Sequence, residues 1–210
     1  MNRRPRLTVV NCIIFLNLLV YLAWTFADRE DFMMNHFLVS WEALLDGRYW
    51  TLLTSVFSQQ SFFHFLVNML VLLSFGSVLE SVLGPRLFSV FYVAAGLISS
   101  LSHCLVSTLI LGNPEQPALG ASGAIAGLVL VFALVFPREK ILLFAIIPLP
   151  ALFGALAFVA LDLWGLSAQA HGGGLPIGHG AHLGGALSGV LFYFFYLRPR
   201  IQRRRQLEPL

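Results

Sequence analysis

The stretch FFHFLVNMLVLLSFGSVLESVL, residues Phe62 to Leu83, decides the class of fold, because Glu80 is its only charged residue. A helix needs about 20 mostly apolar residues to cross a hydrocarbon core of ~30 Å, so this stretch predicts a transmembrane helix. The rest of the chain has the same character, with 58% hydrophobic and 11% charged residues and a mean hydropathy of +0.81. Lipid accepts apolar surface on the outside of every helix, whereas a water-soluble domain cannot enclose so much of it. The sequence therefore predicts a membrane protein.

Apolar runs of suitable length predict six transmembrane helices in an all-α bundle. The predicted spans cover residues 7–26, 62–83, 87–111, 120–136, 141–163 and 180–197. A length of 210 residues suits one domain, covering residues 1–210, with no separate soluble domain. The first run is too long for a typical signal peptide and no clear cleavage site follows it, so we expect it to remain as a span.

The basic residues predict the orientation of the six spans, since Lys and Arg are enriched in cytoplasmic loops. With six spans both termini lie on one side, and this side holds eleven of the 13 basic residues: Arg3, Arg4, Arg6, Arg86, Arg138, Lys140, Arg198, Arg200, Arg203, Arg204 and Arg205. Only Arg29 and Arg48 lie opposite. We expect a multi-pass protein, of a bacterial inner (cytoplasmic) membrane, with both termini cytoplasmic. The basic tail after the last span is typical of an anchor at anionic lipid rather than of nucleic-acid binding.

Two outer loops differ from the short basic inner ones. Residues 27–61 mix Trp, Tyr and aliphatic residues with charges, which is typical of a segment partly embedded at the membrane interface. Within it, Ser40-Trp41-Glu42 predicts the start of a short helix that Asp46-Gly47 ends. Residues 165–181 are rich in glycine, which favours a mobile flap.

Polar residues inside a membrane are costly, so each one within a span is a candidate for function. His64 and Asn68 are four residues apart and share one face of the second span. Ser122 lies at the start of the fourth span and His182 at the start of the sixth. The predicted topology places all four residues toward the outer half of the membrane. A hydroxyl, two imidazoles and a carboxamide are thus expected at one depth.

Small residues indicate how these helices approach each other. Gly123 and Gly127 are four apart, as are Gly185 and Gly189, and such pairs allow two helix backbones to pack closely. Docking through these glycines brings the Ser122 hydroxyl within hydrogen-bond reach of the His182 ring, as a nucleophile and its general base require. Each motif alone is weak, because Gly-x-Ser-Gly also packs helices and His64 with Asn68 is also a simple interhelical pair. The combination predicts a catalytic site.

These motifs resemble those of the rhomboid intramembrane serine proteases. The resemblance covers nearly the whole chain, and its motifs are His64 to Asn68, Gly120 to Gly123 and Ala181 to Gly185. It implies a six-helix bundle with a long first outer loop, in which Ser122 attacks the scissile carbonyl and His182 accepts its proton. It further implies a dyad that needs no carboxylate. His64, Asn68 and the Ser122 backbone N–H would then stabilise the oxyanion.

Three positions depart from the family pattern. Thr51 follows Trp50 where the family often has Arg, and Gln59 stands where a histidine is often found. Ala126 stands where an aromatic residue often stacks on the base, so we expect His182 to be held less firmly or by another ring. Glu80 matches an acidic position that we expect to pair locally for structure.

His103 and Asp162 lie near span interiors or ends, and we expect structural partners for both. His179 and His182 are three apart, but no carboxylate or third histidine is expected to join them, so no metal site and no cofactor are predicted. His-Glu-x-x-His is absent from the sequence, which disfavours zinc proteolysis. Cys12 and Cys104 lie within spans, where single cysteines usually pack.

The sequence therefore predicts an intramembrane serine endopeptidase that cuts other transmembrane proteins within or near their membrane segments. Its expected partners are these substrates and the lipid bilayer, with no nucleic acid and no obligate protein partner. Two other functions remain open. One is a catalytically inactive relative that binds membrane clients, and the other is a small transporter or channel that uses the same polar residues as a pathway.

Overall fold

Helices dominate the computed structural model, which describes residues 8–143 and 147–207. In these ranges five helices are long and apolar enough to cross a membrane, and a sixth, shorter apolar helix covers Ser122–Val135. The five are Val9–Phe26, Phe62–Leu83, Pro85–Leu109, Ala151–Ala170 and His179–Arg203. The prediction of a helical membrane bundle is thus confirmed, with five helices of spanning length in the described residues, and the count of six crossings stays a prediction.

The elements follow each other in the order α1 (Val9–Phe26), α2 (Glu30–Phe37), α3 (Trp41–Leu45), α4 (Thr51–Thr54), α5 (Phe62–Val71), α6 (Ser77–Leu83), α7 (Pro85–Leu109), α8 (Ser122–Val135), β1 (Lys140–Leu143), β2 (Ile147–Pro150), α9 (Ala151–Ala170), α10 (His179–Phe192) and α11 (Arg198–Leu207). A π turn joins α5 to α6, and another joins α10 to α11, so each pair forms one continuous helix.

Helix α1 runs antiparallel to the helix formed by α5 and α6. At one end, the Glu80 carboxylate accepts hydrogen bonds of 2.9 Å from the backbone N–H groups of Val9 and Val10. At the other end, the Trp24 indole N–H donates to the Ser58 hydroxyl at 2.7 Å. The carboxylate satisfies N–H groups that a helix start leaves without intrahelical partners. The expected structural role of Glu80 is therefore confirmed.

The first outer loop contains three short helices, α2 to α4, and is hydrogen-bonded to the loop between α7 and α8. Ser40 caps α3 by accepting from the Ala43 N–H at 3.0 Å, and Gly47 follows with φ +80°, as predicted for this short helix. Val39 and Ala118 exchange two backbone hydrogen bonds of 2.9 and 2.8 Å. Thr51 is fully buried and donates to the Arg48 carbonyl at 2.7 Å. The loop is thus held by backbone pairing and by a hydroxyl where the family often has Arg.

The short helix α8 lies at the centre of the bundle. Its residues from Gly123 to Ala133 are buried, apart from half-buried Val129. With 14 residues it is about 21 Å long, too short for the ~30 Å hydrocarbon core. The neighbouring helices α7 and α10 enclose it, and its first residue, Ser122, lies beside the first turn of α10.

The predicted fifth span, residues 141–163, is wrong in its bounds. Residues Lys140–Leu143 and Ile147–Pro150 instead form an antiparallel two-stranded sheet, in which Ile141 pairs with Leu149. The helix begins only at Ala151, directly after Pro150, and continues to Ala170. The two prolines, Pro148 and Pro150, explain the shift, because proline lacks an N–H donor and disfavours helical conformation in the residue before it.

The shift shortens the glycine-rich outer loop, since the predicted loop of residues 165–181 loses its first residues to α9 and its last to α10. Residues 171–178 remain as the connection between α9 and α10. Gln169 holds this connection, because its side-chain amide donates to the carbonyls of Leu175 at 2.7 Å and Ile177 at 2.9 Å. The last span also continues beyond residue 197 into α11. The first predicted span begins at residue 7, outside the described residues.

Candidate active site

Ser122 and His182 are in contact in the folded chain. Ser122 is the first residue of α8, and His182 lies in the first turn of α10. The Ser122 hydroxyl oxygen is 2.9 Å from Nε2 of His182, and the His182 side chain is 13% exposed. A hydroxyl within this distance of an imidazole nitrogen is the geometry of a nucleophile and its general base.

Glycines allow the two helices to come this close. A Cβ atom on Gly185 would overlap the carbonyl oxygen of Gly123, and a Cβ on Gly189 would overlap that of Gly127. A Cβ on Gly127 would lie only 2.9 Å from the Gly185 carbonyl oxygen. The four predicted packing glycines thus lie along one backbone-to-backbone contact between α8 and α10. A larger side chain at Gly127, Gly185 or Gly189 would push the two helices apart.

A strained turn orients the start of α8. Gly120 has φ +127°, a backbone conformation that residues with a Cβ rarely adopt, and its N–H donates to the Ser55 carbonyl at 2.9 Å. A Cβ on Gly120 would also lie 2.8 Å from Cε1 of His64 and 3.7 Å from the Ser122 hydroxyl oxygen. The His64 ring and the Ser122 hydroxyl therefore lie on the same side of this glycine.

Asn68 lies one turn after His64 on α5 and is 5% exposed. Its side-chain N–H donates to Oε1 of Gln59 at 3.0 Å, and the Gln59 amide in turn donates to Oδ1 of Asn17 at 3.2 Å. Gln59, which stands where the family often has histidine, thus connects Asn68 to α1. The predicted oxyanion roles of His64 and Asn68 are not tested by these contacts, and they stay predictions.

The ring beside His182 comes from α9, because Ala126 supplies none. The Phe158 ring lies with its centroid 5.4 Å from that of His182, at an interplanar angle of 34°. Ala126 is buried at 1% exposure in the close packing around α8. An aromatic neighbour of the base is therefore present, but on a different helix from the one where the family often carries it.

Asp162 is the residue of the site that sequence reasoning missed. Its Oδ1 lies 3.0 Å from Nδ1 of His182 and 2.7 Å from Nδ1 of His179, and its side chain is 6% exposed. The expectation that no carboxylate joins the two histidines is wrong. The predicted fifth span ended at residue 163 and therefore placed Asp162 at a helix end. The actual helix, Ala151–Ala170, places it in the second half of a span, where an ionisable residue is costly and indicates function.

Asp162, His179 and His182 also form a possible metal site, since one ligand atom of each lies within 4.8 Å of the others. Carboxylate oxygen and imidazole nitrogen are common ligands of divalent transition metals. Both Nδ1 atoms already face the carboxylate at hydrogen-bond distance, so a metal ion would have to replace the bridging protons. The absence of a metal from the working protein stays a prediction.

The other predicted histidine, His103, has a structural partner as expected. Its Nε2 lies 3.0 Å from the carbonyl oxygen of Gln116, in the loop between α7 and α8. The ring is 3% exposed and so tethers this loop from inside the bundle. Cys104, the next residue, is buried and unpaired with Cys12, in agreement with a packing role.

The family model of the Rhomboid domain matches residues 46–199. Rhomboid protein 1, mitochondrial, from Saccharomyces cerevisiae is 33% identical over 199 residues, which are 94% of this chain and 56% of that protein. Presenilin-associated rhomboid-like protein A, mitochondrial, from Danio rerio is 35% identical over 203 residues, 96% of this chain and 50% of the relative.

A third relative, the presenilin-associated rhomboid-like protein, mitochondrial, of Mus musculus, is 35% identical over 208 residues, covering 96% of this chain and 51% of its own length. The chain thus spans about half the length of the curated relatives it matches. The matched region contains Ser122, His182, His64, Asn68 and Asp162.

Proposed function

This chain belongs to the rhomboid family, and on that premise we propose that it is an intramembrane serine endopeptidase in which Ser122 is the nucleophile and His182 the general base. The observation that carries the proposal is the 2.9 Å contact between the Ser122 hydroxyl and Nε2 of His182. The family supports intramembrane protease activity in general, and the contact supports the assignment of the two residues. An inactive client-binding protein has no chemical need for this contact.

The proposed reaction begins when the Ser122 hydroxyl gives its proton to His182 Nε2 and its oxygen bonds to the scissile carbonyl carbon. The resulting oxyanion accepts hydrogen bonds from His64, from Asn68 and from the Ser122 backbone N–H, since the first N–H groups of a helix lack intrahelical partners. The His182 proton then passes to the leaving amine as the C–N bond breaks. Water then gives a proton to His182 while its oxygen bonds to the acyl carbon, the bond from that carbon to the Ser122 oxygen breaks, and His182 returns the proton to Ser122.

The proposed substrates are other transmembrane proteins, cut within or near their membrane segments. Ser122 starts the buried apolar helix α8, so a substrate must bring its membrane segment to the bundle to reach the nucleophile. A helical backbone is fully hydrogen-bonded, so cleavage requires a locally unwound segment rich in Gly, Ala, Ser or other weak helix formers. Cleavage sites mapped to the centres of stable Leu-rich helices would contradict this substrate class.

The protein is a multi-pass membrane protein, and we propose that it forms one rhomboid-like domain with both termini on the side of the basic loops. The relatives named above are mitochondrial by name, which conflicts with the bacterial origin expected from the sequence. The bacterial membrane is therefore not proposed. Neither a cofactor nor an obligate partner forms part of the proposal, and a chelator such as EDTA is expected to leave cleavage unchanged.

The proposal is tested by a cleavage assay on a model transmembrane substrate, using the full chain in liposomes. Wild type is compared with Ser122→Ala and His182→Ala, both of which are expected to reduce cleavage to background, because the nucleophile and base of a serine protease act as a unit. Ser74→Ala and His171→Ala serve as matched controls and keep wild-type activity, because both side chains are exposed and bond only backbone carbonyls of their own helix. Equal cleavage by all five proteins would refute the proposal.

A further inference from the structure

Two imidazoles share one carboxylate oxygen beside the proposed nucleophile. Asp162 Oδ1 lies 3.0 Å from Nδ1 of His182 and 2.7 Å from Nδ1 of His179, while Nε2 of His182 lies 2.9 Å from the Ser122 hydroxyl. Hydroxyl, imidazole and carboxylate thus form one continuous row across α8, α10 and α9. Resting on the function proposed above, we propose that Asp162 is a positioning residue that fixes the His182 ring for catalysis, so that the site works as a Ser122–His182–Asp162 triad with His179 holding the carboxylate.

The carboxylate selects the tautomer of His182. An ionised carboxylate only accepts hydrogen bonds, so the nitrogen that faces it carries the proton. His182 therefore holds its proton on Nδ1 and presents a lone pair on Nε2 to the Ser122 hydroxyl. This is the tautomer that a general base needs. Moving the proton from Nδ1 to Nε2 would break the hydrogen bond to Asp162.

The carboxylate also stabilises the charge that the reaction creates. When His182 accepts the Ser122 proton, an imidazolium forms with its Nδ1–H directed at Asp162 Oδ1. The Asp162 and His182 side chains are 6% and 13% exposed, so little water screens this attraction. The interaction is stronger in the charged intermediate than in the resting site, which is the condition for it to increase the rate.

His179 keeps the carboxylate in place. A buried carboxylate is costly unless it is well hydrogen-bonded, and the His179 Nδ1–H supplies a second, shorter bond to the same oxygen. The His179 ring reaches this position because Gly165 on α9 has no side chain, and a Cβ there would overlap the ring. His179 therefore holds the Asp162 oxygen, and Gly165 leaves the room that the His179 ring needs.

A purely structural tie between α9 and α10 is the competing explanation, and it predicts different kinetics. Loss of such a tie lowers the melting temperature without a specific change in the chemical step. Loss of a positioning carboxylate lowers kcat, leaves KM nearly unchanged and alters the pH dependence of the rate. Among the described residues, the titratable groups that face His182 are Asp162 from α9, His179 from its own helix and His64 from α5.

The test measures kcat, KM, the pH profile of kcat/KM and the melting temperature of Asp162→Asn in the full chain. We expect kcat to fall about 10²- to 10⁴-fold, as when the carboxylate of a soluble serine-protease triad becomes an amide. We expect KM within about threefold of wild type and a pH profile that differs from that of wild type, because the imidazolium loses its anionic neighbour. Asp46→Asn is the matched control, since this carboxylate is exposed and pairs with Arg48 away from the site.

A second measurement on wild type keeps the proposal falsifiable if Asp162→Asn does not fold. In ¹⁵N-histidine NMR of the resting protein, His182 is expected to show its proton on Nδ1, and a proton on Nε2 would overturn the proposal. Wild-type kcat and an unshifted profile in folded Asp162→Asn would overturn it as well. If Ser122→Ala and His182→Ala were inactive at the same time, only the triad would fail, whereas activity in those two variants would refute the protease itself.

Discussion

Among the single residues near the proposed site, three buried side-chain amides are joined by hydrogen bonds in a row, and Asn68 lies at one end of it. Asn17 donates to the Ile13 carbonyl at 2.9 Å, Gln59 donates to Asn17, and Asn68 donates to Gln59. The bond to Gln59 uses one of the two amide protons of Asn68 and fixes the plane of its carboxamide. The second proton is then available for the proposed oxyanion.

The oxyanion assignment predicts a specific kinetic defect. His64→Ala and Asn68→Ala are each expected to lower kcat about 10²- to 10³-fold with little change in KM, because one oxyanion donor contributes about 2.7–4 kcal/mol in the transition state. Steady-state cleavage kinetics in detergent measure both constants. Asn35→Ala is the control, since this exposed amide donates to the Asp31 carbonyl far from the site. Unchanged kcat in both site variants would remove these residues from the mechanism.

Among the helices, the contact between α8 and α10 determines how close Ser122 and His182 come to each other. The short helix α8 starts next to the first turn of α10, where the long span His179–Arg203 begins, and four glycines let the two backbones touch after the reactive pair. Ser102 adds a bond from α7 by donating to the Gly180 carbonyl at 2.8 Å. The distance between Ser122 and His182 is therefore a property of helix packing rather than of the two side chains alone.

Gly185→Ala is expected to inactivate the protein and to destabilise it by about 1–3 kcal/mol, the usual cost of overpacking a tight contact. The added methyl group would overlap the Gly123 carbonyl oxygen, so the helices must separate and the bond between Ser122 and His182 is lost. Thermal unfolding and cleavage are measured on the same sample. In Gly173→Ala, the added Cβ would lie 3.7 Å from its nearest neighbour, so this control stays active. Wild-type melting and activity in Gly185→Ala would contradict the packing argument.

The sequence predicted the apolar helices well and the connections between them poorly. Long apolar runs and spaced glycines report directly on lipid exposure and on backbone approach, so the bundle and the pairing of Ser122 with His182 could be predicted. The run from Ile141 to Leu163 carried the same apolar signal, but Pro148 and Pro150 moved the helix start to Ala151. That error placed Asp162 at a helix end and concealed its bond to His182. The ring of Phe158 could not be predicted either, because its contact depends on how α9 docks.

At the scale of the whole molecule, we propose that six crossings place the active site and the basic loops on opposite sides of the membrane. Trp24 near the end of α1 contacts Ser58, just before α5, and Ser122 at the start of α8 contacts His182 in the first turn of α10. Glu80 joins the start of α1 to the end of α6 at the other side. Because each crossing takes the chain to the other side of the membrane, α8 leads from the site to the loop with Arg138, Glu139 and Lys140 on the opposite side.

Cysteine labelling tests this topology. In a Cys12→Ser, Cys104→Ser background, a single cysteine at Asp46 is expected to react with a membrane-impermeant maleimide from the side of the active site. A single cysteine at Glu139 is expected to react only from the opposite side, because the positively charged loops stay on the inner side. Sealed vesicles of known orientation provide the measurement. Labelling of both positions from the same side would contradict the six-crossing arrangement.

The central claim is that Ser122 is a nucleophile activated by His182, and mapping of a fluorophosphonate adduct tests it most directly. In this reaction the Ser122 oxygen bonds to phosphorus, fluoride leaves, and His182 takes the hydroxyl proton. Mass spectrometry of wild type treated in detergent is expected to locate one adduct on Ser122, absent from Ser122→Ala and strongly reduced in His182→Ala. An adduct on another serine, or undiminished labelling of Ser122 in His182→Ala, would contradict the account.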